Sequence, residues 1–287
     1  MRPLLMAHIA VFFMSMAGVL AGHSGFSPWE STFYRVSLGA LVLLGSWMFV
    51  PKKTKMPFSI ILLAFFLGAL LGFHWFAFFK SIELLGVTLG SALIGSEPLI
   101  VAAFAMIFLK EKLSGKVILA MGISSVGFVM LLLVSDTQSE GLVAGCAWAI
   151  GGYIVFAILV IINRRLVQSY PPLLVTGIEM LGATPVSFFY SDGNLWPVTA
   201  ASWFFAISLG FLCTGLAYYL YNSSMKQLPA NLAGALLALE VAYGMAAGWI
   251  LGDSLTILQA GAAVLIANIL FLDIFELLLL RKNSQTP

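Results

Sequence analysis

The chain has 287 residues, of which 61% are hydrophobic and only 9% charged, and its mean hydropathy is +1.04. A soluble domain carries about 25% charged residues, so this composition excludes a soluble enzyme, a disordered chain and a collagen-like fibre. The formal net charge of +2 leaves no basic face for a nucleic acid, and the two cysteines, Cys146 and Cys213, lie in apolar runs and build no disulfide framework.

The composition predicts an all-α integral membrane protein in contact with the lipid bilayer. A spanning helix needs about 20 mostly apolar residues, and ten such runs follow one another: 3–22, 29–50, 58–82, 86–109, 115–134, 141–163, 173–190, 200–226, 230–252 and 256–280. The first holds His8 and stops at Gly22-His23-Ser24-Gly25; its Ala17–Ala21 stretch also reads as a signal-peptide processing site, an alternative that the repeat below disfavours. The second carries Arg35 and stops at Pro51-Lys52-Lys53. The third carries His74, Trp75, Phe78, Phe79 and Lys80, with Glu83 just beyond. Glu97 and Pro98 stand in the middle of the fourth, and the fifth ends at Ser135-Asp136. Trp148, Tyr153 and Phe156 lie in the sixth, which ends at Asn163. Pro171-Pro172 opens the seventh, with Glu179 inside it and Ser191-Asp192-Gly193-Asn194 after it. Tyr218, Tyr219, Tyr221 and Asn222 belong to the eighth. Leu228-Pro229 separates it from the ninth, which holds Glu240 followed by Gly244, Gly248 and Gly252. Asn268 lies in the tenth. So few polar residues separate the runs that no room is left for a soluble domain.

Charge orients the bundle. Arg2, Lys52, Lys53, Lys55, Lys110, Lys112, Lys116, Arg164, Arg165, Lys226, Arg281 and Lys282 all fall on one side if ten spans alternate, whereas the opposite loops carry Asp136, Glu140, Asp192 and Asp253. The positive-inside rule then puts both termini in the cytoplasm of a cell (inner or plasma) membrane.

The chain also repeats itself. An offset of 143 aligns Pro28 with Pro171, Gly72 with Gly215, Ser81 with Ser224, Leu85 with Leu228 and Glu97 with Glu240, and matches Trp75, Phe76 and Phe78 with Tyr218, Tyr219 and Tyr221. The carboxylate match weighs most, because an acid in mid-span is rare. Residues 1–140 and 141–287 each hold five spans, an odd number, so the second half enters the membrane from the opposite side. Two inverted five-helix repeats of this kind suit a carrier that exposes a central site to each face in turn.

The two mid-span glutamates are the first candidates for chemistry. Burying a charge there costs about 2.5–3.5 kcal/mol, which one substitution could remove. Glu97 and Glu240 are therefore read as proton or substrate-contact residues, with protons the candidate coupling ion. The bland alternative is a protonated acid bonded to a neighbouring helix. Pro98 deprives the Ile94 carbonyl of its helical partner and marks a kink beside Glu97. Gly244 and Gly248 form a small-residue stripe for close helix packing, which keeps Glu240 away from lipid. His74, Trp75, Phe78, Trp148, Tyr153, Tyr218, Tyr221 and Asn222 are candidate walls of a substrate cavity; lipid packing is the competing reading for the aromatics. Glu179 and Arg35 each need a partner inside the membrane. No phosphate-binding loop, zinc spacing or nucleophile elbow is present, so neither cofactor nor metal nor enzymatic activity is expected.

The segments Gly215-Leu216-Ala217-Tyr218-Tyr219-Leu220-Tyr221, Leu228-Pro229-Ala230-Asn231-Leu232-Ala233 and Gly252-Asp253-Ser254-Leu255-Thr256 resemble the last three helices of EamA-type members of the drug/metabolite transporter superfamily. Glu97-Pro98 and Leu109-Lys110-Glu111-Lys112-Leu113-Ser114 carry the matching pattern in the first half, and Arg35 stands where such proteins often have an arginine. The chain departs from the family pattern at Val241, where a proline is usual, and at Asp253, where a Glu is. The resemblance implies a ten-helix carrier with a central cavity and a small polar metabolite, above all an amino acid, as exported substrate. An organic cation such as a quaternary amine is the alternative, because acids with aromatic walls also suit it. The two differ in one feature. A zwitterion needs a donor for its carboxylate, such as Asn222, Arg35 or a helix N-terminus, and a cation does not. A passive channel or intramembrane enzyme is the reading from another class. The repeat allows a functional monomer.

Overall fold

The computed structural model describes residues 3–51, 54–134, 141–191, 195, 199–250 and 256–268. Arg2, Lys52, Lys53, Asp136, Glu140, Asp192, Gly252, Asp253, Arg281 and Lys282, and the last dozen residues of the tenth run, lie outside them.

Every regular element among the described residues is helical. In chain order they are α1 (Pro3–Ser24), α2 (Pro28–Met48), α3 (Phe58–Ala92), α4 (Glu97–Phe108), α5 (Gly115–Val134), α6 (Leu142–Ser169), α7 (Pro172–Tyr190), α8 (Ala200–Ile207), α9 (Ala217–Ser224), α10 (Ala230–Leu236), α11 (Leu239–Ile250) and α12 (Ile257–Ile266). A π-helical stretch, Ser208–Leu216, joins α8 to α9 without interruption. Local chemistry sets the ends. Ser27 caps α2 by accepting the Glu30 N–H while Glu30 accepts the Ser27 N–H, and Thr256 with Gln259 does the same for α12. Pro28 and Pro172 open their helices, where no N–H is needed. Gly86 takes a φ of 79° that a side chain disfavours, and α3 turns there.

Among the described residues seven helices are long and apolar enough to cross a membrane: Pro3–Ser24, Phe58–Gly86, Gly115–Leu133, Leu142–Ser169, Pro172–Tyr190, Ala200–Ser224 and Ala230–Ile250. Two of the other expected runs fall short for separate reasons. Glu30 and Arg35 lower the hydropathy of α2, although its 21 residues have the length. The segment Leu93–Phe108 is a shorter apolar helix, and of the tenth run only the part that holds the apolar helix Ile257–Ile266 is described. The fourth and ninth runs are each broken near the middle. A 3₁₀ turn, Leu93–Ser96, precedes α4, and a turn at Leu237–Ala238 divides α10 from α11. Pro98 therefore occupies the first turn of α4 rather than bending a continuous helix.

The packing is carried by α1 against α9 and α11, α2 against α7 and the π segment, α3 against α6 and α7, α4 against α10 and α6, and α5 against α12. The closest backbone approach is between α3 and α7, where a Cβ on Gly68 would collide with the Glu179 carbonyl oxygen and one on Gly182 with the Phe65 carbonyl oxygen. The stripe expected at Gly244 and Gly248 is looser: Gly244 faces the Ser15 carbonyl of α1 across ordinary van der Waals space, and Gly248 is buried. Asn268 donates to Ser124 Oγ (2.9 Å) and the Ala120 carbonyl (3.2 Å), so it bonds α12 to α5.

Candidate functional site

Both helix breaks lead directly into an acid. Glu97 is the first residue of α4 and Glu240 the second of α11, so each carboxyl group leaves a first helical turn at the middle of the bundle. Free N–H groups cluster at such a turn and favour negative charge. The two acids line one central cavity together with Met14 from α1, Arg35 from α2, His74, Trp75 and Phe78 from α3, Ile94 from the 3₁₀ turn, Phe156 from α6 and Tyr218 from α9. About 20 Å³ of it is open to the centre of a water molecule, which is room for a single water. In this conformation the site is closed around itself.

Its walls are tied by hydrogen bonds. Trp75 Nε1 donates to Tyr218 Oη at 2.8 Å, and the rings meet edge to face with centroids 5.0 Å apart. These two residues are 143 apart in the chain, the same spacing as Glu97 and Glu240. His74 Nδ1 lies 3.0 Å from the Gly152 carbonyl oxygen, an acceptor, so Nδ1 carries the proton; the ring stacks on Phe156 at 4.7 Å. Arg35 is 3% exposed. Its Nε donates to Thr214 Oγ1 (2.8 Å) and its Nη2 to the Cys213 carbonyl (3.3 Å), and its guanidinium covers the faces of Trp75 (4.6 Å) and Phe79 (5.5 Å). A guanidinium has about five N–H donors, and the bonds recorded among the described residues use two of them.

Six of the ten expected substrate or coupling residues thus meet in one cavity: Glu97, Glu240, His74, Trp75, Phe78 and Tyr218. Tyr221 and Asn222 line a smaller neighbouring cavity with Asn163, Leu71, Leu159 and Val160, which shares Phe156 and Tyr218 with the first. Asn222 Nδ2 donates to Thr176 Oγ1 at 2.7 Å. Tyr153 is fully buried beside Leu93. Trp148 stands apart from both cavities, half-buried against Phe73 and Phe76. Arg35, legible in the sequence as a membrane arginine in need of a partner and as a possible carboxylate donor, joins them there. Its place in the cavity of the two acids depends on how α2 is rotated, which apolar flanks do not reveal.

The two ends of the bundle differ. At the end of the α1–α2 turn, a cleft of about 470 Å³ runs in between Ala21, Phe26, Ser27, Glu30, Ser31, Ile82, Glu83 and Gly86 to a floor at Phe79, whose ring also meets Arg35. Its size lies within the range of about 300–1,000 Å³ usual for ligand sites. Lys80 pairs with Glu83 at its edge. At the other end the chain is clamped. Lys110 turns with a φ of 55°, and the carboxylate of Glu111 accepts the N–H groups of Ala230 (3.0 Å) and Asn231 (2.9 Å) at the start of α10. Asn231 Nδ2 donates to the Lys112 carbonyl at 3.2 Å, and Arg164 Nε stands 4.0 Å from Glu111 Oε1.

Among the described residues no three His, Cys, Asp or Glu side chains form a metal site.

Known proteins share this architecture. A crystal structure 19% identical in sequence superposes with a TM-score of 0.78 over 96% of this chain and 99% of its own, a likeness of fold. The threonine/homoserine exporter RhtA of Escherichia coli (strain K12) is 27% identical over 258 residues, covering 88% of this chain and 83% of RhtA. The uncharacterized transporter YxxF of Bacillus subtilis (strain 168) is 22% identical over 244 residues, covering 83% of this chain and 78% of YxxF. The EamA-like transporter family matches residues 1–133 and 143–272, nearly the whole sequence, and with these apolar helices the chain is a multi-pass membrane transporter belonging to the EamA-like family of the drug/metabolite transporter superfamily.

Proposed function

We propose that this transporter exports an amino acid by alternating access and that the cavity holding Arg35, Glu97 and Glu240 is its substrate site. The observation that carries the reading is that a buried guanidinium and two carboxyl groups line one space from which water is nearly excluded. An α-amino acid presents a carboxylate and an ammonium a few bonds apart. Arg35 complements the first and the pair of acids the second, while an organic cation has no use for the arginine. An ammonium and a proton both bind a carboxylate, so the two compete for the acids, and that competition couples export to proton entry: an empty returning carrier holds the proton where the loaded one holds the ammonium. The sequence similarity to a threonine/homoserine exporter supports the same substrate class.

The repeat belongs to this reading. Helix bounds recur to within one residue of the offset that separates Trp75 from Tyr218: Pro28–Met48 against Pro172–Tyr190, and the break at Leu93–Ser96 against that at Leu237–Ala238. The packing pairs recur as well, α3 on α6 like α9 on α1 and α4 on α6 like α11 on α1. These support ten spans in two inverted halves, 1–140 and 141–287, with both termini in the cytoplasm of the inner or plasma membrane. The clamp at Glu111 then closes the cytoplasmic end, and the cleft above Phe79 opens outward.

The test is counterflow of labelled amino acids, with quaternary amines as the rival panel, in liposomes holding the wild type, Arg35→Gln, Glu97→Gln or Glu240→Gln. Amino acid counterflow that collapses in Arg35→Gln is expected. Counterflow of amines alone, unaffected by Arg35→Gln, would overturn the reading.

A further inference from the structure

A second acid lies inside the membrane, away from the central cavity. Glu179, in the middle of α7, is 1% exposed. One of its oxygens, Oε2, accepts from Asn163 Nδ2 at 3.2 Å, whereas Oε1 has no partner. Asn163 is buried in turn, and its own Oδ1 also lacks a partner. The pair therefore holds two unmet acceptors to which no donor is bonded. A proton on the Glu179 carboxyl is the donor that this arrangement lacks. Had the position served only to glue α7 to α6, a Gln would bond there without introducing an ionisable group.

The surroundings connect this acid to the central site. Asn163 lines the smaller cavity, which is big enough to admit about one water, as do Tyr221 and Tyr218. The Tyr221 hydroxyl is buried without a partner. Tyr218 accepts from Trp75, so its own O–H proton is not used in that bond, and it also lines the central cavity with Glu97 and Glu240. Tyr218 is thus shared by the cavity of the central acids and the cavity that Tyr221 and Asn163 line. Beyond Asn163, α6 continues into Arg164 and Arg165 at the clamped end. The ionisable groups on the elements packed against α7 are engaged elsewhere among the described residues. Glu30 bonds Ser27 and Arg35 bonds Thr214 on α2; His74 bonds Gly152 and Lys80 pairs with Glu83 on α3; Arg164 bonds the Met225 carbonyl on α6. Arg165 on α6 bonds the Phe108 carbonyl, and Tyr34 on α2, Cys146 and Tyr153 on α6 and Tyr218, Tyr219 and Tyr221 on α9 complete the set. Among the described residues no ion pair joins Glu179.

We propose that Glu179, positioned by Asn163, is a second proton-binding site, the station at which the coupling proton arrives from the central acids before it leaves at the Arg164 end. In the step an O–H bond on Glu97 or Glu240 breaks and one on Glu179 forms, with the hydroxyls of Tyr218 and Tyr221 and cavity water each accepting and passing on a proton, so that no other reactant is consumed. The direction of flow rests on the carrier reading above; the existence of the site does not.

Two readouts separate these. The first is the infrared difference spectrum of the reconstituted full-length protein between mildly alkaline and mildly acidic buffer, which reports protonated carboxyl groups without any substrate. A carboxyl band present in the wild type and in Glu97→Gln/Glu240→Gln, absent in Glu179→Gln and shifted in Asn163→Ala is expected. Identical bands in wild type and Glu179→Gln would overturn the proposal. The second is proton flux alongside amino acid counterflow in the same liposomes. Glu179→Gln is expected to retain counterflow within about twofold while substrate-driven proton flux falls by about tenfold or more, and Glu179→Asp to recover part of the flux. Undiminished proton flux in Glu179→Gln also overturns the proposal. Absence of amino acid counterflow in the wild type strikes the carrier reading instead, and the infrared band then decides the proton site alone.

Discussion

Replacing Glu111 with alanine takes away the acceptor that joins the α4–α5 turn to the start of α10. Two backbone N–H groups, of Ala230 and Asn231, lose an ionised partner at 3.0 and 2.9 Å. Pro229, at the N-cap of α10, offers no side-chain substitute. A hydrogen bond to a charged group contributes about 1.5–3 kcal/mol, and a carboxylate at a helix N-terminus about 0.3–1 kcal/mol more. Glu111 has 17% of its side chain exposed and Arg164 is only loosely paired with it at 4.0 Å, so water recovers part of the loss. A net cost of about 2–3 kcal/mol follows. If the opposite opening of the carrier separates this turn from α10, the whole cost falls on the present conformation, and the ratio of the two states shifts by roughly 30- to 150-fold. The assay is the labelling rate of Tyr221→Cys, in a background with Cys146 and Cys213 replaced by serine. An impermeant maleimide is applied from the side that carries Arg164. Tyr221 is 1% exposed here, so labelling is slow while the clamp holds, and Glu111→Ala accelerates it towards that factor. Glu111→Gln, which keeps one carbonyl acceptor, falls between. Unchanged labelling in Glu111→Ala, with the protein still folded, would refute the clamp as the element that closes this end.

Gly182→Ala puts a methyl group into the Phe65 carbonyl oxygen, a backbone atom that no rotamer change moves. The α3–α7 seam must open, and a loss of about 1–3 kcal/mol or more is expected as a lower melting temperature in detergent, whereas Gly45→Ala on α2, with open space around it, leaves melting unchanged. Trp75→Phe removes the donor to Tyr218 and costs about 1 kcal/mol. Combined with Tyr218→Phe it should cost less than the sum of the two, with a coupling of about 0.5–1.5 kcal/mol in a double-mutant cycle; strict additivity would deny that the bond exists.

Hydropathy, turn residues and charge were local properties, and for that reason they could be read along the chain. They placed the apolar runs, the stops at Gly22–Gly25 and Pro171-Pro172, and two acids inside those runs. The EamA-type resemblance came from the same linear patterns. Other features needed the folded molecule. The break before Glu240 lies in Ala235-Leu236-Leu237-Ala238-Leu239, a stretch with neither Pro nor Gly to announce it, and the α10 that precedes it packs against α4. The tightest glycine contact is at Gly68 and Gly182, which share no motif in the chain, and the Gly244 stripe that did form a motif packs loosely. Trp148 looked like a cavity residue by its span and sits against Phe76 instead. Arg35 and Glu179 were each visible as costly charges without partners. Only the tertiary structure sends the first to the central acids and the second to Asn163. These helices are apolar on most of their circumference, so the sequence encodes that they are buried far more strongly than which face meets which neighbour. That choice is made by helix rotation and crossing, through the few glycines and polar groups for which a wrong neighbour means a collision or an unmet hydrogen bond.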